Sequence, residues 1–410
     1  MLLNVERAGR LMEAAGLDGL VSATLENGFY MSGVWNIGQE LFPHDTEAYV
    51  VARADELTRP VMVTSLGDAD LAVAAEVPLR DLFGYGRFYR DVLEGAELNV
   101  DERWVKSTTL DREASPTAVE ALVAALRLCG LDRGVIAVDE RGANRDLIAQ
   151  LGARLSDARF VPGAQLFRQI RMVKTGEELV RLEQALRITE AAMRATVAAA
   201  TPGVTERELH GVFESAIVAG GARPGFTLLR FGRGMALGQV PSGDTRLEEG
   251  DFLWFDVGCT YRGYRSDIGR IFPVGEPNQH LTHLFSAIRA GQDRAIELMA
   301  PGRLASEVFA AAVARVREAG IPHYRRHHVG HGIGVEYYDL PILAERSDQP
   351  LEVNMIFEVE TPYYELGFGG AFIEDTVLVT PGGSRILTTL SRELTSTEAA
   401  AGGRRADGGQ

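Results

Sequence analysis

The sequence predicts an α/β N-terminal domain followed by an α+β domain built from two related halves. Three observations predict it. Short apolar runs alternate with helical patterns over about the first 165 residues, a long helix opens with a capping signature at Thr175, and a pattern of glycine and glutamate recurs at a fixed distance further on. A length of 410 residues suits two or three domains at about 150 residues each. Apolar residues make up 46% and charged residues 24%, which allows a large core and excludes general disorder.

The first domain is read as residues 1–165. Arg7 to Ala15 has helical spacing, and Gly19 to Ala23 reads as a short buried strand. Ala48 to Ala52 and Pro60 to Thr64 read as further strands. Pro116 to Cys129 is helical, with Val119, Leu122, Val123 and Leu126 on one face and Gly130 as its stop. Val135 to Val138 is another apolar strand. The second domain is read as residues 166–395. Thr175 and Glu178 form a capping box, and Leu179, Leu182, Leu186, Met193 and Val197 carry helical spacing on to Ala200. Thr205 and Glu208 repeat the box for the next helix, which ends at Gly220-Gly221. Pro202-Gly203, Glu208-Leu209 and Gly221 recur as Pro301-Gly302, Glu307-Val308 and Gly320, each 99 residues later. Two copies are too few for a solenoid and fit one domain folded as two halves with a site between them. Residues 396–410, small and polar, read as a disordered tail.

Charge and composition exclude several functions. Lysine and arginine total 42 against 57 acidic residues, a net charge of −15, so a nucleic-acid partner is not expected. No apolar run reaches transmembrane length, and Glu6 and Arg7 interrupt the N-terminus too early for a secretory signal. The expectation is a cytoplasmic protein without a membrane partner. Two distant cysteines, Cys129 and Cys259, exclude a disulfide scaffold and suit a reducing compartment. Only Lys106 and Lys174 are lysines, which argues against Schiff-base catalysis.

Acidic and histidine residues gather in four places. Asp256 interrupts the apolar run Phe252 to Gly258, where a carboxylate either caps a turn or is paired or metal-bound. Asp267 follows across a turn marked by Gly263. Two facing carboxylates need a cation between them, and Arg262, Arg265, Arg270 or a metal are the candidates. Tyr324 to Gly334 holds His327, His328 and His331 among glycines, and those glycines argue against a helical zinc face. Phe357 to Thr361 and Ile373 to Val379 are strand-like and place Glu358, Glu360 and Glu374 in apolar surroundings. Two aspartates, a histidine and two glutamates can hold two divalent metals that share a water and polarise a substrate oxygen. The donor set suits manganese, iron(II), cobalt or zinc. Phosphate-loop, dinucleotide, His-Glu-x-x-His and nucleophile-elbow signatures are missing.

The stretches Asp256-Val-Gly, Ser266-Asp-Ile-Gly-Arg, His327-His-Val-Gly-His-Gly-Ile-Gly and Ile373-Glu-Asp-Thr resemble the pita-bread metallopeptidase family of methionine aminopeptidase, aminopeptidase P, prolidase and creatinase. Asn27-Gly-Phe-Tyr-Met-Ser-Gly33 resembles the N-terminal domain of its creatinase, prolidase and aminopeptidase P branch. The resemblance implies a pita-bread domain over residues 170–385. It implies that Asp256, Asp267, His331, Glu360 and Glu374 are ligands to two metals, with Asp267 and Glu374 bridging. His327 matches a catalytic histidine of the family. Three positions depart from the family. Tyr338 stands where a histidine is usual, Gly238 or Gln239 replaces another, and Phe372 replaces an arginine.

The expected function is a dinuclear-metal hydrolase cleaving a peptide or amide bond of a small substrate, like an Xaa-Pro aminopeptidase or dipeptidase. Glu360 takes or orients the proton of the attacking water, and His327 or Tyr338 donates to the oxyanion. The three departures predict weak turnover of simple Xaa-Pro dipeptides. The alternatives are another dimetal enzyme on this fold, a lyase or a specialised small-amide hydrolase, and a non-catalytic binding module. The resemblance also implies a homodimer, with Phe29, Tyr30 and Trp35 offered as an apolar wall for the neighbouring site.

Overall fold

The computed structural model describes residues 2–402. The chain divides into two compact units, Met1–Arg171 and Met172–Gln410, where the sequence reading put the boundary after residue 165.

The first unit is built on six strands, β1 (Gly19–Ser22), β2 (Tyr49–Arg53), β3 (Val61–Ser65), β4 (Asp81–Tyr85), β5 (Gly134–Val138) and β6 (Ala158–Pro162). They form one sheet in the order β4-β3-β2-β1-β5-β6. β1 runs antiparallel to β2 and parallel to β5. The apolar runs of the sequence become these strands because their side chains are buried. Val21, Val51, Val63, Ile136 and Val138 pack with Leu122 and Leu126 of the helix Ala118–Leu128. Each such side chain contributes roughly 1.5–3 kcal/mol on leaving water. Thr117 caps that helix by accepting the Glu120 N–H at 3.3 Å. Phe29 and Tyr30, offered from the sequence as a wall for a neighbouring site, are only 4% and 1% exposed. They belong to the core of this unit, since an aromatic pattern cannot by itself distinguish core from surface.

The second unit contains the repeat in plain form. The helices Glu206–Ala219 and Ala305–Glu318 are both 14 residues long and begin 99 residues apart. The helices before them, Gly176–Ala199 and Gln279–Leu298, end 99 residues apart. Gly203 N–H donates to Leu247 O and Gly302 N–H to Leu351 O, both at 2.8 Å, so the two connections are tied down alike. Each helix pair is followed by antiparallel strands. The first half supplies β7 (Arg223–Phe231), β8 (Phe252–Tyr261), β9 (Tyr264–Arg265) and β10 (Ile268–Pro273) in the order β10-β8-β7, with β9 on β8. The second supplies β11 (Gly330–Gly332), β12 (Asp339–Ile342), β13 (Ile356–Glu360), the short pair β14 (Tyr363–Glu365) and β15 (Gly369–Ala371), then β16 (Glu374–Thr380) and β17 (Gly383–Ile386). Its sheet order is β12-β11-β13-β16-β17. Arg262 and Gly263 turn β8 into β9 with φ of 46° and 83°, the two positive values a tight hairpin turn requires.

Alternation along β8 sorts its side chains. Leu253, Phe255, Val257 and Cys259 pack under the helices of the first half, whereas Phe252 and Trp254 face the other way, towards the second core cluster. Asp256 continues that second face. Residues Thr397–Gly402, expected to be disordered, form a helix, and Ala400 packs on the cluster that includes Met193 and Phe213. Three successive alanines favour the helix and give it a small apolar face. The remainder of the expected tail, residues 403–410, lies outside the described residues.

Candidate metal centre

Strand register brings the predicted ligands together. Glu360 on β13 pairs directly with Glu374 on β16, and Glu358 pairs with Thr376. His331 on β11 lies opposite Glu358. His331, Glu358, Glu360 and Glu374 therefore share one face of the sheet. On the other sheet Asp256 is paired with Gly269, and Asp267 precedes Gly269 by two residues, which puts both carboxylates on one face. Asp375 points the opposite way from Glu374, where Arg270, Arg392 and Gln292 hold it in a structural ion-pair network.

Asp267, His331 and Glu374 offer ligand atoms within 4.8 Å of one another, and all three residues are buried. His331 Nε2 is 3.9 Å from Asp267 Oδ2. Its Nδ1 is 3.0 Å from the Gly332 carbonyl, which fixes the proton on Nδ1 and leaves Nε2 as a free donor atom. Burial pushes the His331 pKa down to about 4, so the imidazole is neutral and able to ligate. Asp267 Oδ1 and Glu374 Oε2 are buried without a hydrogen-bond partner.

The carboxylates resist ionisation together. Burial, then the Glu360 charge, push Asp256 up to about 8. Burial and the surrounding carboxylates push Asp267 and Glu374 well above the usual range. Burial also raises Glu360, with Arg326 opposing. A group of buried acids that repel one another, with orphaned oxygens beside a neutral imidazole, is what a divalent cation would satisfy. The residues fit a metal.

Sequence comparison agrees with that chemistry. Residues 180–381 match metallopeptidase family M24, and residues 4–173 match the creatinase/prolidase N-terminal domain. The chain is 34% identical over 231 residues to the Xaa-Pro dipeptidase of Pyrococcus furiosus, covering 56% of this chain and 66% of that protein. It is 32% identical over 249 residues to the Xaa-Pro dipeptidase of Pyrococcus horikoshii, covering 60% and 71%. This chain belongs to metallopeptidase family M24. The structure of an X-Pro aminopeptidase from Thermotoga maritima superposes on 96% of this M24 chain and 99% of its own, with a TM-score of 0.74 and 25% identity. An Xaa-Pro dipeptidase from Bacillus anthracis gives 0.76 at 25% identity, covering 96% and 98%. No helix among the described residues is long and apolar enough to cross a membrane.

The remaining predicted residues of this M24 site lie as follows. Tyr338 stacks flat on His331, with ring centroids 3.8 Å apart and 16° between planes, and is 49% exposed. Burial and four nearby carboxylates raise its pKa, so the phenol stays neutral. His327 is exposed, and it is His328 that is buried against the cluster, with Nδ1 3.2 Å from Glu360 Oε1. Neighbouring side chains of an extended segment diverge, so adjacent histidines cannot both face the acids. Gly330, at φ 150°, lies so close to Glu358 that a Cβ there would meet its carbonyl oxygen at 2.4 Å. Burial and then Arg326 push His328 down to about 3, keeping it neutral. Phe372 is fully buried, with its ring edge on Trp254, and fills the space over Gly269. A side chain at Gly238 would collide with Trp254 at 2.4 Å, and Gln239 is exposed.

Three site residues escaped the sequence reading. His328 was hidden by its neighbour. Glu358, 1% exposed with neither oxygen hydrogen-bonded, carried a signal in its alternation with Glu360. Arg326, next to Arg325 in the sequence, carried no signal of its own.

Proposed function

We propose that this M24 protein is a metal-dependent Xaa-Pro dipeptidase. The observation that carries the reading is the buried Asp267, His331 and Glu374 cluster with its orphaned oxygens, in a chain 32–34% identical to two Xaa-Pro dipeptidases over 56–60% of its length and similar in structure to another over 96%. Asp256, Asp267, His331, Glu360 and Glu374 would hold up to two divalent ions, manganese, cobalt, iron(II) or zinc. Such ions supply an activated water and polarise a carbonyl oxygen.

The chain's own groups do the rest. Glu360 accepts a proton as the water oxygen bonds to the scissile carbonyl carbon, and returns it to the proline nitrogen as the C–N bond breaks. Tyr338 stays a neutral hydrogen-bond donor, and His328, whose Nδ1 accepts the Gly330 N–H at 3.3 Å, is held neutral beside Glu360. Tyr338 and Tyr364, 49% and 42% exposed, offer aromatic surface to a small apolar residue. We further read the protein as a cytoplasmic homodimer. Both cysteines are free, and Ile37, Leu41 and Phe42 leave an apolar patch on the first unit.

The test is hydrolysis of Xaa-Pro dipeptides by protein treated with a chelator and reloaded with manganese. Release of the free amino acid and proline only after reloading is expected. An elimination product, or no reaction on any Xaa-Pro peptide, overturns the assignment.

A further inference from the structure

The repeated helices Glu206–Ala219 and Ala305–Glu318 differ on one face. In the first half that face is covered by its own ion pairs, His210 Nε2 with Glu214 at 3.0 Å and Arg207 Nε with Asp244 at 3.0 Å. At the 99-residue offset His210 and Glu214 become Phe309 and Val313, Arg207 becomes Ser306, and Val218 becomes Arg317. The second-half face lines a cavity of about 330 Å³, inside the range of small-molecule sites. Phe309 and Val313 give it an apolar floor, and the small side chains of Ala310 and Ala314 leave it room. Arg317 at the helix end, Arg325 and Arg326 on the connection to β11, and Glu345 beyond β12 supply its charged walls. None of Asp256, Asp267, His331, Glu360 and Glu374 lines it.

Three guanidiniums meet one carboxylate there, an excess of two positive charges in a chain whose net charge is −15. Most of their donors are unspent. Arg325 is exposed and makes no hydrogen bond or ion pair among the described residues. Arg317 uses only its Nε–H, which donates to Tyr324 O at 2.9 Å, so both of its terminal nitrogens are open among those residues. That bond also ties the connection to the helix end, which holds the basic wall in place. Arg326 spends Nε on His328 O at 3.4 Å and Nη2 on Glu360 Oε1 at 3.3 Å, and keeps Nη1. Planar guanidiniums match the oxygens of a phosphate with parallel hydrogen bonds. A phosphate monoester carries a charge of about −1.5 to −2 near pH 7 and offers three acceptor oxygens, which meets the excess charge, whereas a single carboxylate meets only half of it. The floor of Phe309 and Val313 takes a compact apolar group. We propose that this cavity is a binding site, separate from the metal centre, for a small phosphate monoester with an apolar body. The site does not depend on the dipeptidase reading.

The experiment is isothermal titration calorimetry of the manganese-treated protein with phenyl phosphate, and with inorganic phosphate and benzoate for comparison. Phenyl phosphate should bind once per chain and more tightly than either of the others. Arg325→Gln removes an exposed, unpaired side chain, so the fold should hold, and Kd should rise by about 10–100-fold, the range for a charge-assisted contact. Ala314→Phe fills the cavity at an exposed helix position and should weaken binding at least as much. Glu345→Gln removes the one opposing charge and should tighten binding several-fold, an effect that a damaged fold cannot mimic. Asp267→Ala, which disables the metal centre, should change Kd by less than about 3-fold. Loss of binding in Asp267→Ala would put the ester on the metal ligands and overturn the proposal. So would wild-type affinity in the Arg325 and Ala314 variants, or no binding of phenyl phosphate at all. Equal affinity for inorganic phosphate would deny the apolar floor a role, and equal affinity for benzoate would overturn the choice of a phosphate.

Discussion

Replacing Asp256 by asparagine should have opposite effects on the metal-free and metal-loaded protein. Burial and Glu360 raise the Asp256 pKa from 3.8 to about 8. A carboxyl raised by folding weakens the fold once it is ionised in the unfolded chain. The penalty is absent below about pH 4, grows as pH rises, and is complete above about pH 8. The full shift corresponds to roughly 6 kcal/mol. Part of that belongs to Glu360, and Asp256 keeps some contact with water, so about 2 kcal/mol is assigned to the single substitution. For a unit of this size that is a rise in Tm of about 4–8 °C. Differential scanning fluorimetry with a chelator at pH 8 should show Asp256→Asn melting higher than wild type, and near pH 4 the difference should vanish. With excess manganese the order should reverse, because a ligand is gone. A variant that melts lower than wild type in chelator at pH 8 would refute the claim that unneutralised carboxylates strain this site.

Three further outcomes follow from particular contacts. Tyr338→Phe keeps the stack on His331 and loses only the hydroxyl. It should lower kcat by about 10²–10³ with metal content unchanged, as measured by steady-state kinetics and elemental analysis. Lys174, 0% exposed at its side chain, pairs with buried Asp339 at 3.5 Å, next to the strand that carries His331. Lys174→Met removes a buried cation beside that carboxylate and should destabilise by about 3–5 kcal/mol in urea unfolding. Gly269→Ala puts a methyl group 1.7 Å from the Phe372 ring and should lower Tm by several degrees, reading directly how tightly the ring is held.

Four strands of the first unit and those carrying Asp256, Glu360 and Glu374 were legible as apolar runs, whereas Asp81–Tyr85, Ala158–Pro162 and the glycine-rich Gly330–Gly332 were not. The repeat was legible because the same turn recurs, with Gly203 and Gly302 at φ of 96° and 86°. The acids were legible for the opposite reason, as carboxylates in strands such as Phe252–Tyr261 that otherwise carry apolar side chains. Orientation was not legible. His327 and His328 differ by one position, and the sequence pattern does not tell which of them is buried beside Glu360. Arg326 was missed because an arginine in a connection looks like solvent-facing surface until its ion pair with Glu360 is seen. Phe29 and Tyr30 show the limit of aromatic patterns, and Thr397–Gly402 shows that three alanines can continue a fold where composition suggests a tail.

Asp267, His331 and Glu374 are proposed to form a divalent-metal centre. The most direct measurement is metal stoichiometry by inductively coupled plasma mass spectrometry on wild type and Asp267→Ala, each saturated with manganese and then desalted. Asp267 offers a buried oxygen without a partner and a second 3.9 Å from His331, so its loss should remove tightly held metal. Bound metal, up to two ions per chain, is expected in the wild type and almost none in the variant. Equal stoichiometry in the two proteins would contradict it.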